Sequence, residues 1–149
     1  MGDGMVYQIV LGTGVMLVSM LIGAVSALLM ETGFARWHGW LMRPPHRPKL
    51  LLLLMVTSLW VVGTITAGVW LWAFVYDLLG VFPTLEESLY FSIVTYTTLG
   101  YGDVVLPHEW RILSGMTSTN GFLNFGLMTA LLIEALRQIR LGQVERRRG

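Results

Sequence analysis

Three long stretches of this 149-residue chain carry no charged side chain: Met5 to Met30, Leu50 to Tyr76 and Ile112 to Ile133. Roughly 20 apolar residues take an α-helix across a bilayer, so each stretch predicts one span. A helix is suited to that solvent because it satisfies its own backbone N–H and C=O groups within one segment. The first two stretches are longer than the roughly 30 Å hydrocarbon layer needs, which predicts tilt or protruding ends. The first is not expected to be a secretory signal, because no basic segment precedes it and its apolar run is too long. With 54% hydrophobic and only 13% charged residues, the composition excludes an ordinary soluble domain. The expected class is an all-α membrane protein.

Charge placement predicts the orientation. The link from Glu31 to Lys49 carries Arg36, Arg43, Arg47 and Lys49, and the tail carries Arg137, Arg140, Arg146, Arg147 and Arg148. Those nine are all but one of the ten basic residues. Positive segments stay on the cytoplasmic side. The amino terminus is therefore expected outside, and the 31–49 link and the tail inside. The stretch from Asp77 to Arg111 is left outside; it holds Asp77, Glu86, Glu87, Asp103 and Glu109 against the single Arg111. Pro44, Pro45 and Pro48 predict a stiff turn in the link. Trp37 and Trp40 fit an interfacial position, as do Trp70 and Trp72 at the outer side.

Between the second and third stretches lies a segment too short to span. Thr84 followed three residues later by Glu87 is a capping-box pattern, and Pro83 before it stops the preceding chain from continuing as helix. A helix of about three turns is predicted from Leu85. It is followed by Thr97-Thr98-Leu99-Gly100-Tyr101-Gly102-Asp103. Glycines alternate there with residues that carry side chains, and glycine takes positive φ at no steric cost. A short helix with irregular backbone after it is tolerated at membrane depth only inside protein or against a water-filled cavity. This segment is therefore predicted to dip in from outside, its carboxyl end aimed at a centre where the dipole favours a cation.

This run resembles the selectivity filter of potassium channels, loops of the form Thr-Val-Gly-Tyr-Gly contributed by four subunits around one axis. Residues 50–137 as a whole resemble the two-helix pore domain of prokaryotic potassium channels: outer helix, pore helix, filter, inner helix. Asn124-Phe125-Gly126-Leu127-Met128-Thr129-Ala130 is similar to a Ser-Phe-Gly-Leu-Val-Thr-Ala run of their inner helices, and Trp110-Arg111 to the pair before it. The resemblance implies a homotetramer in which the carbonyls of Thr98, Leu99, Gly100 and Tyr101, with the Thr98 hydroxyl, replace the hydration water of K+. Gly102 completes the filter, and Thr97, Asp103 and Asn120 are its expected supports. It places Gly121 at a hinge and Phe122, Phe125, Thr129 and Ile133 on the cavity face, and helical spacing independently puts those four on one stripe. Leu99 stands where valine is usual. Val94 stands where some bacterial channels have a glutamate bonded to the aspartate after the filter, so Asp103 is expected to lack that partner.

Some residues carry two readings. Asn120 and Asn124 suit either interhelical hydrogen bonding or filter support, and Gly121 and Gly126 either close packing or a hinge. Glu134, three residues before Arg137, suits a local ion pair better than a gate sensor. The basic tail is a topology signal that can also hold anionic lipid.

Residues 1–49 fall outside the resemblance: an additional helix without an arginine series, hence no voltage sensor, plus the link. Ser19, Gly23 and Ala27, at four-residue spacing, suggest that this helix packs outside its own or a neighbouring outer helix, where it braces the assembly or receives a lipid or tension signal. Residues 138–149 are the basic cytoplasmic tail, too short for a built-in ligand-binding domain.

The expected function is passive potassium conduction in the plasma membrane of a prokaryote. A weakly selective monovalent cation channel and a non-conducting membrane adaptor with the pore fold are the other readings. No enzyme is expected: no catalytic triad, carboxylate pair or phosphate loop is present, and the absence of cysteine removes thiolate chemistry. No cofactor, structural metal site or nucleic-acid partner is expected; His38, His46 and His108 are scattered. The orientation is checked by placing single cysteines at Gly2 and Gly149 in this cysteine-free chain. An impermeant thiol reagent should label only position 2 in intact cells; the reverse pattern would refute the charge argument.

Overall fold

A computed structural model describes residues 2–41 and 46–148 of the chain. Four α-helices follow one another: α1 (Gly2–Leu41), α2 (His46–Leu78), α3 (Leu85–Tyr96) and α4 (Arg111–Arg148). A single 3₁₀ turn, His108–Trp110, leads into α4. The expected Pro44-Pro45 turn and Arg43 lie outside the described residues, as do the side chains of Trp37, Trp40, Arg47, Arg140 and Arg146 to Arg148.

The helix ends have local causes. Gly80, at φ 62°, closes α2: Val81 N–H donates to Tyr76 O at 3.1 Å and Gly80 N–H to Asp77 O at 3.0 Å. This left-handed glycine cap satisfies carbonyls that the helix end leaves open. Thr84 then caps α3, accepting from Glu87 N at 3.2 Å, and the helix runs the predicted three turns. Pro48 falls in the first turn of α2, where its missing N–H costs no helix bond.

Among the described residues, two helices, over Gly4–Arg36 and Leu51–Leu78, are long and apolar enough to cross a membrane. α4 is long enough but more polar, because Ser114, Thr117, Ser118, Thr119, Asn120, Asn124 and Thr129 interrupt its apolar residues. Several of these are buried and bonded inside the protein: Thr117, Asn120 and Asn124 are each no more than 3% exposed. α1 also departs from expectation. It continues as helix past Glu31 through most of the predicted link, because no proline interrupts the chain before Pro44.

The packing order differs from the sequence expectation too. α1 lies against α4 and also against α2, rather than on an outer helix alone. Ser19 and Gly23 face Asn124 of α4: Asn124 Nδ2 donates to Ser19 Oγ at 3.2 Å, and a Cβ on Gly23 would stand 2.7 Å from Asn124 Oδ1. Farther along, Ser26 Oγ meets Thr64 Oγ1 of α2 at 2.6 Å and accepts from Trp60 Nε1 at 2.8 Å. In lipid, such small and hydroxylated residues supply the contact that apolar side chains do not drive.

The core forms where α2, α3 and α4 meet. Trp72, Tyr76, Phe91, Tyr96 and Leu113 are buried in one cluster. Tyr76 meets Phe91 edge-on at 5.3 Å, and Phe82 lies 5.1 Å from Phe91. Trp72 therefore points inward rather than to an interface: its Nε1 donates to Asn120 Oδ1 at 2.9 Å. Tyr76 OH pairs with Thr117 Oγ1 at 2.6 Å.

The tightest approach is between α3 and α4. A Cβ built on Gly121 would collide with the backbone carbonyl of Tyr96, whereas one on Gly126 meets nothing within 4 Å. α4 runs through Gly121 as unbroken helix, and the missing side chain there permits the close approach. Backbone cannot retreat as a side-chain tip can. Gly121→Ala should cost about 3 kcal/mol, the upper end for overpacking, while Gly126→Ala should change stability by less than about 1 kcal/mol. Thermal unfolding of the two variants in detergent checks the contrast; equal midpoints would refute it.

Candidate functional site: the loop after α3

The loop 97–103 hangs from the carboxyl end of α3 by its own N–H groups. Thr98 N donates to Thr95 O at 3.0 Å, and Leu99 N and Gly100 N both donate to Val94 O, at 3.0 and 3.1 Å. In a trans peptide the preceding carbonyl points opposite to the N–H. The carbonyls of Thr97, Thr98 and Leu99 are thereby turned away from α3. The backbone torsions agree: φ is positive at every second residue, 58° at Thr98, 60° at Gly100 and 76° at Gly102. Two of these positions carry glycine, for which this region is free of steric cost. The third is Thr98, a β-branched residue in a conformation that such residues rarely take. Glycine placement alone did not signal that position.

The support is layered behind this loop. Thr97 Oγ1 donates back to Ile93 O at 2.7 Å. Ser118 of α4 donates to Thr95 O at 3.1 Å and so holds the last turn of α3 from the other side. Asn120 does not reach the loop directly; it is fully buried and takes the Trp72 indole N–H, which ties α4 to α2. A cavity of about 420 Å³ lies behind the loop, between Phe91 and Val94 of α3 and Ser114 and Ser118 of α4.

Asp103 has a partner that sequence reasoning missed. Tyr90 OH donates to Asp103 Oδ2 at 2.5 Å across thirteen residues. Val94 offers no carboxyl, as expected, but a tyrosine one turn earlier on α3 closes the outer end of the loop instead. The signal was the four-residue step from Tyr90 to Val94, which places both on one face of α3. The Tyr90 hydroxyl holds the Asp103 carboxyl below its ordinary range.

Of the expected cavity residues, Phe122, Thr129 and Ile133 are exposed on this chain. Phe125 is half-buried and packs against the core cluster. Thr129 Oγ1 donates to Phe125 O at 2.8 Å, so its hydroxyl is turned to its own helix. Glu134 and Arg137 form an exposed pair at 3.6 Å. Leu99 and Tyr101 are 54% and 68% exposed, large side chains at the tip of the loop with little of this chain against them.

A family model described as an ion channel matches residues 64–138, just over half of the chain. The match takes in α2 from Thr64 onward, all of α3 and the loop, and α4 as far as Gln138. The chain belongs to this ion channel family. It is a membrane protein with transmembrane helices, and not an enzyme. Neither the curated proteins nor the solved structures provided a match.

The Tyr90–Asp103 bond sets a pH dependence with a definite sign. A carboxyl whose value is lowered on folding contributes stability above its ordinary value, about 3.9 for aspartate, and loses it as pH falls through the lowered one. Asp103 should stay ionised throughout the range near neutrality. Tyr90→Phe should raise its titration midpoint toward the ordinary value. The Asp103 carboxyl carbon resonance, followed against pH in detergent, reads this directly; an unmoved midpoint would mean that the hydroxyl is not the cause.

Proposed function

We propose that four copies of this chain surround one axis and conduct potassium selectively by passive electrodiffusion. The observation that carries this reading is the set of N–H bonds from Thr98, Leu99 and Gly100 back to α3, which turns the carbonyls of Thr97, Thr98 and Leu99 to the opposite side. In this reading the carbonyls of Thr98 and Leu99, continued by those of Gly100 and Tyr101 and joined by the Thr98 hydroxyl, take the place of water around K+. Each chain supplies one quarter of that cage. The exposure of Leu99 and Tyr101 supports the assembly, since irregular backbone at membrane depth must lie against protein or a water-filled path.

In this reading residues 50–137 are the pore unit, with α2 outermost and α4 lining the path. α4 is then a third span; Thr117, Ser118, Asn120 and Asn124 are tolerable in a bilayer because they are bonded to α1, α2 and α3, and Thr119 and Thr129 because they bond to their own helix. Phe122, Thr129 and Ile133 line the path below the filter, and Phe125 stands at the edge of that stripe. Residues 1–49 supply α1 and the cytoplasmic link, and residues 138–149 the basic tail, which also suits anionic lipid. The amino terminus is outside, the carboxyl terminus cytoplasmic, and the setting is the plasma membrane of a prokaryote.

The test is direct. Gly100→Ala and Gly102→Ala each force a β-carbon into left-handed backbone, at roughly 1–2 kcal/mol per copy and so about 4–8 kcal/mol over four. Both variants should lose potassium selectivity in reconstituted bilayers, as read from reversal potentials in mixed K+ and Na+. Selective conduction by both would refute the filter assignment. A parent chain that passes Na+ as readily as K+ would establish the weakly selective channel instead.

A further inference from the structure

Tyr96 is the last residue of α3, two residues before Thr98, and all four helices meet on it. It is 1% exposed. On the α2 side, a Cβ at Gly68 would collide with its hydroxyl; on the α4 side, one at Gly121 would collide with its carbonyl. The helix left over is α1. Ser19 Oγ lies 3.5 Å from Tyr96 OH and accepts from Asn124 Nδ2 at 3.2 Å, and Asn124 Nδ2 also donates to its own helix at Asn120 O. Ser19 is 2% exposed and Asn124 3%.

We propose that α1 is part of the support of the filter, and that Ser19 acts through Tyr96 as a positioning residue for ion selectivity. The inference rests on the filter reading above. Its physical basis is the short path from Ser19 to the loop. The carbonyls of Val94 and Thr95, one and two residues before Tyr96, are the acceptors from which Thr98, Leu99 and Gly100 hang. A Tyr96 ring that shifts carries that last turn of α3 with it. The turn is already fixed from α4, through Ser118 and the Gly121 contact, and the phenol is walled by Gly68 of α2. The Ser19 hydroxyl, with the Asn124 side chain that bonds to the same phenol, supplies the remaining wall.

The residue type argues for this beyond close packing. An alanine at position 19 would allow the same helix approach. A buried hydroxyl costs free energy unless it is hydrogen-bonded, and no water is at hand in lipid to replace a lost partner. Gly23, one turn on, leaves the room in which the Asn124 amide lies across the interface. The same face of α1 therefore admits the amide and meets the phenol.

The experiment uses the full chain reconstituted in planar bilayers, with the K+ over Na+ permeability ratio as readout. Ser19→Ala keeps the Cβ and removes only the hydroxyl. The ratio should fall roughly three- to tenfold, the change that one net hydrogen bond supports, while assembly on size exclusion stays as in the parent. Tyr96→Phe should fall by a similar factor, and the double variant should fall no further than either, because the two groups act in one path. Ser26→Ala, on the same helix but bonded to Thr64 and Trp60 away from the filter, should leave the ratio unchanged. If Ser19→Ala does not assemble, Tyr96→Phe decides by the same ratio. A selective parent whose Ser19 and Tyr96 variants keep its ratio would overturn this inference alone. An equal fall in Ser26→Ala would overturn it too, by reducing α1 to general bracing. A parent without selectivity would overturn the filter reading and this inference with it.

Discussion

The backbones of α3 and α4 touch where Gly121 meets the carbonyl of Tyr96, and the support behind the loop is organised around that contact. Any side chain at 121 would push α4 away from α3. With the two backbones in contact, Ser118 reaches Thr95 O one turn before, and Asn124 reaches across to α1 one turn after. The aromatic cluster of Tyr76, Phe82 and Phe91 then fills the space on the α2 side. Edge-on and tilted ring pairs of this kind contribute about 0.5–1.5 kcal/mol each beyond the area they bury. The last turn of α3 is held from three directions, which is what a loop suspended from its carbonyls requires.

What could be read from the sequence was local. The Thr84 cap, the breaking effect of Pro83 and the length of α3 all depend on neighbours within a few residues, and they stand as expected. The glycines at 100 and 102 announced their own torsions for the same reason. Thr98 did not, because a β-branched residue gives no warning of positive φ; the bonds from its neighbours to Val94 impose it. The extent of α1 was hidden by hydropathy. Apolar character ends at Glu31, but a helix needs only helical backbone and the absence of a breaker.

Partners distant in sequence were harder to read. Tyr90 and Asp103 lie thirteen residues apart, and only the fold of the loop over α3 brings them together. The four-residue step from Ser19 to Gly23 signalled a helix contact correctly, but spacing carries no information about which helix is met. α4 won over an exclusive contact with α2 because it offers Asn124, an amide that needs a buried partner as much as Ser19 does. The polarity of α4, which lowers its hydropathy, is the same property that attaches it to α1, α2 and α3.

That attachment also imposes an order on biosynthesis. Ser19 and Tyr96 are separated by 77 residues, and Ser19 and Asn124 by 105. At about 5–20 residues per second, a ribosome needs roughly 5–20 s to make the second partner after the first has emerged. Transmembrane helices are established in the bilayer before they associate side by side. For that interval α1 holds Ser19 among lipid tails with only its own backbone to bond. The nascent chain is then a helix in search of contacts, open to association with another copy or with the quality-control machinery of the membrane. Arrival of α4 ends that period, so one face of α1 waits for a partner made about a hundred residues later.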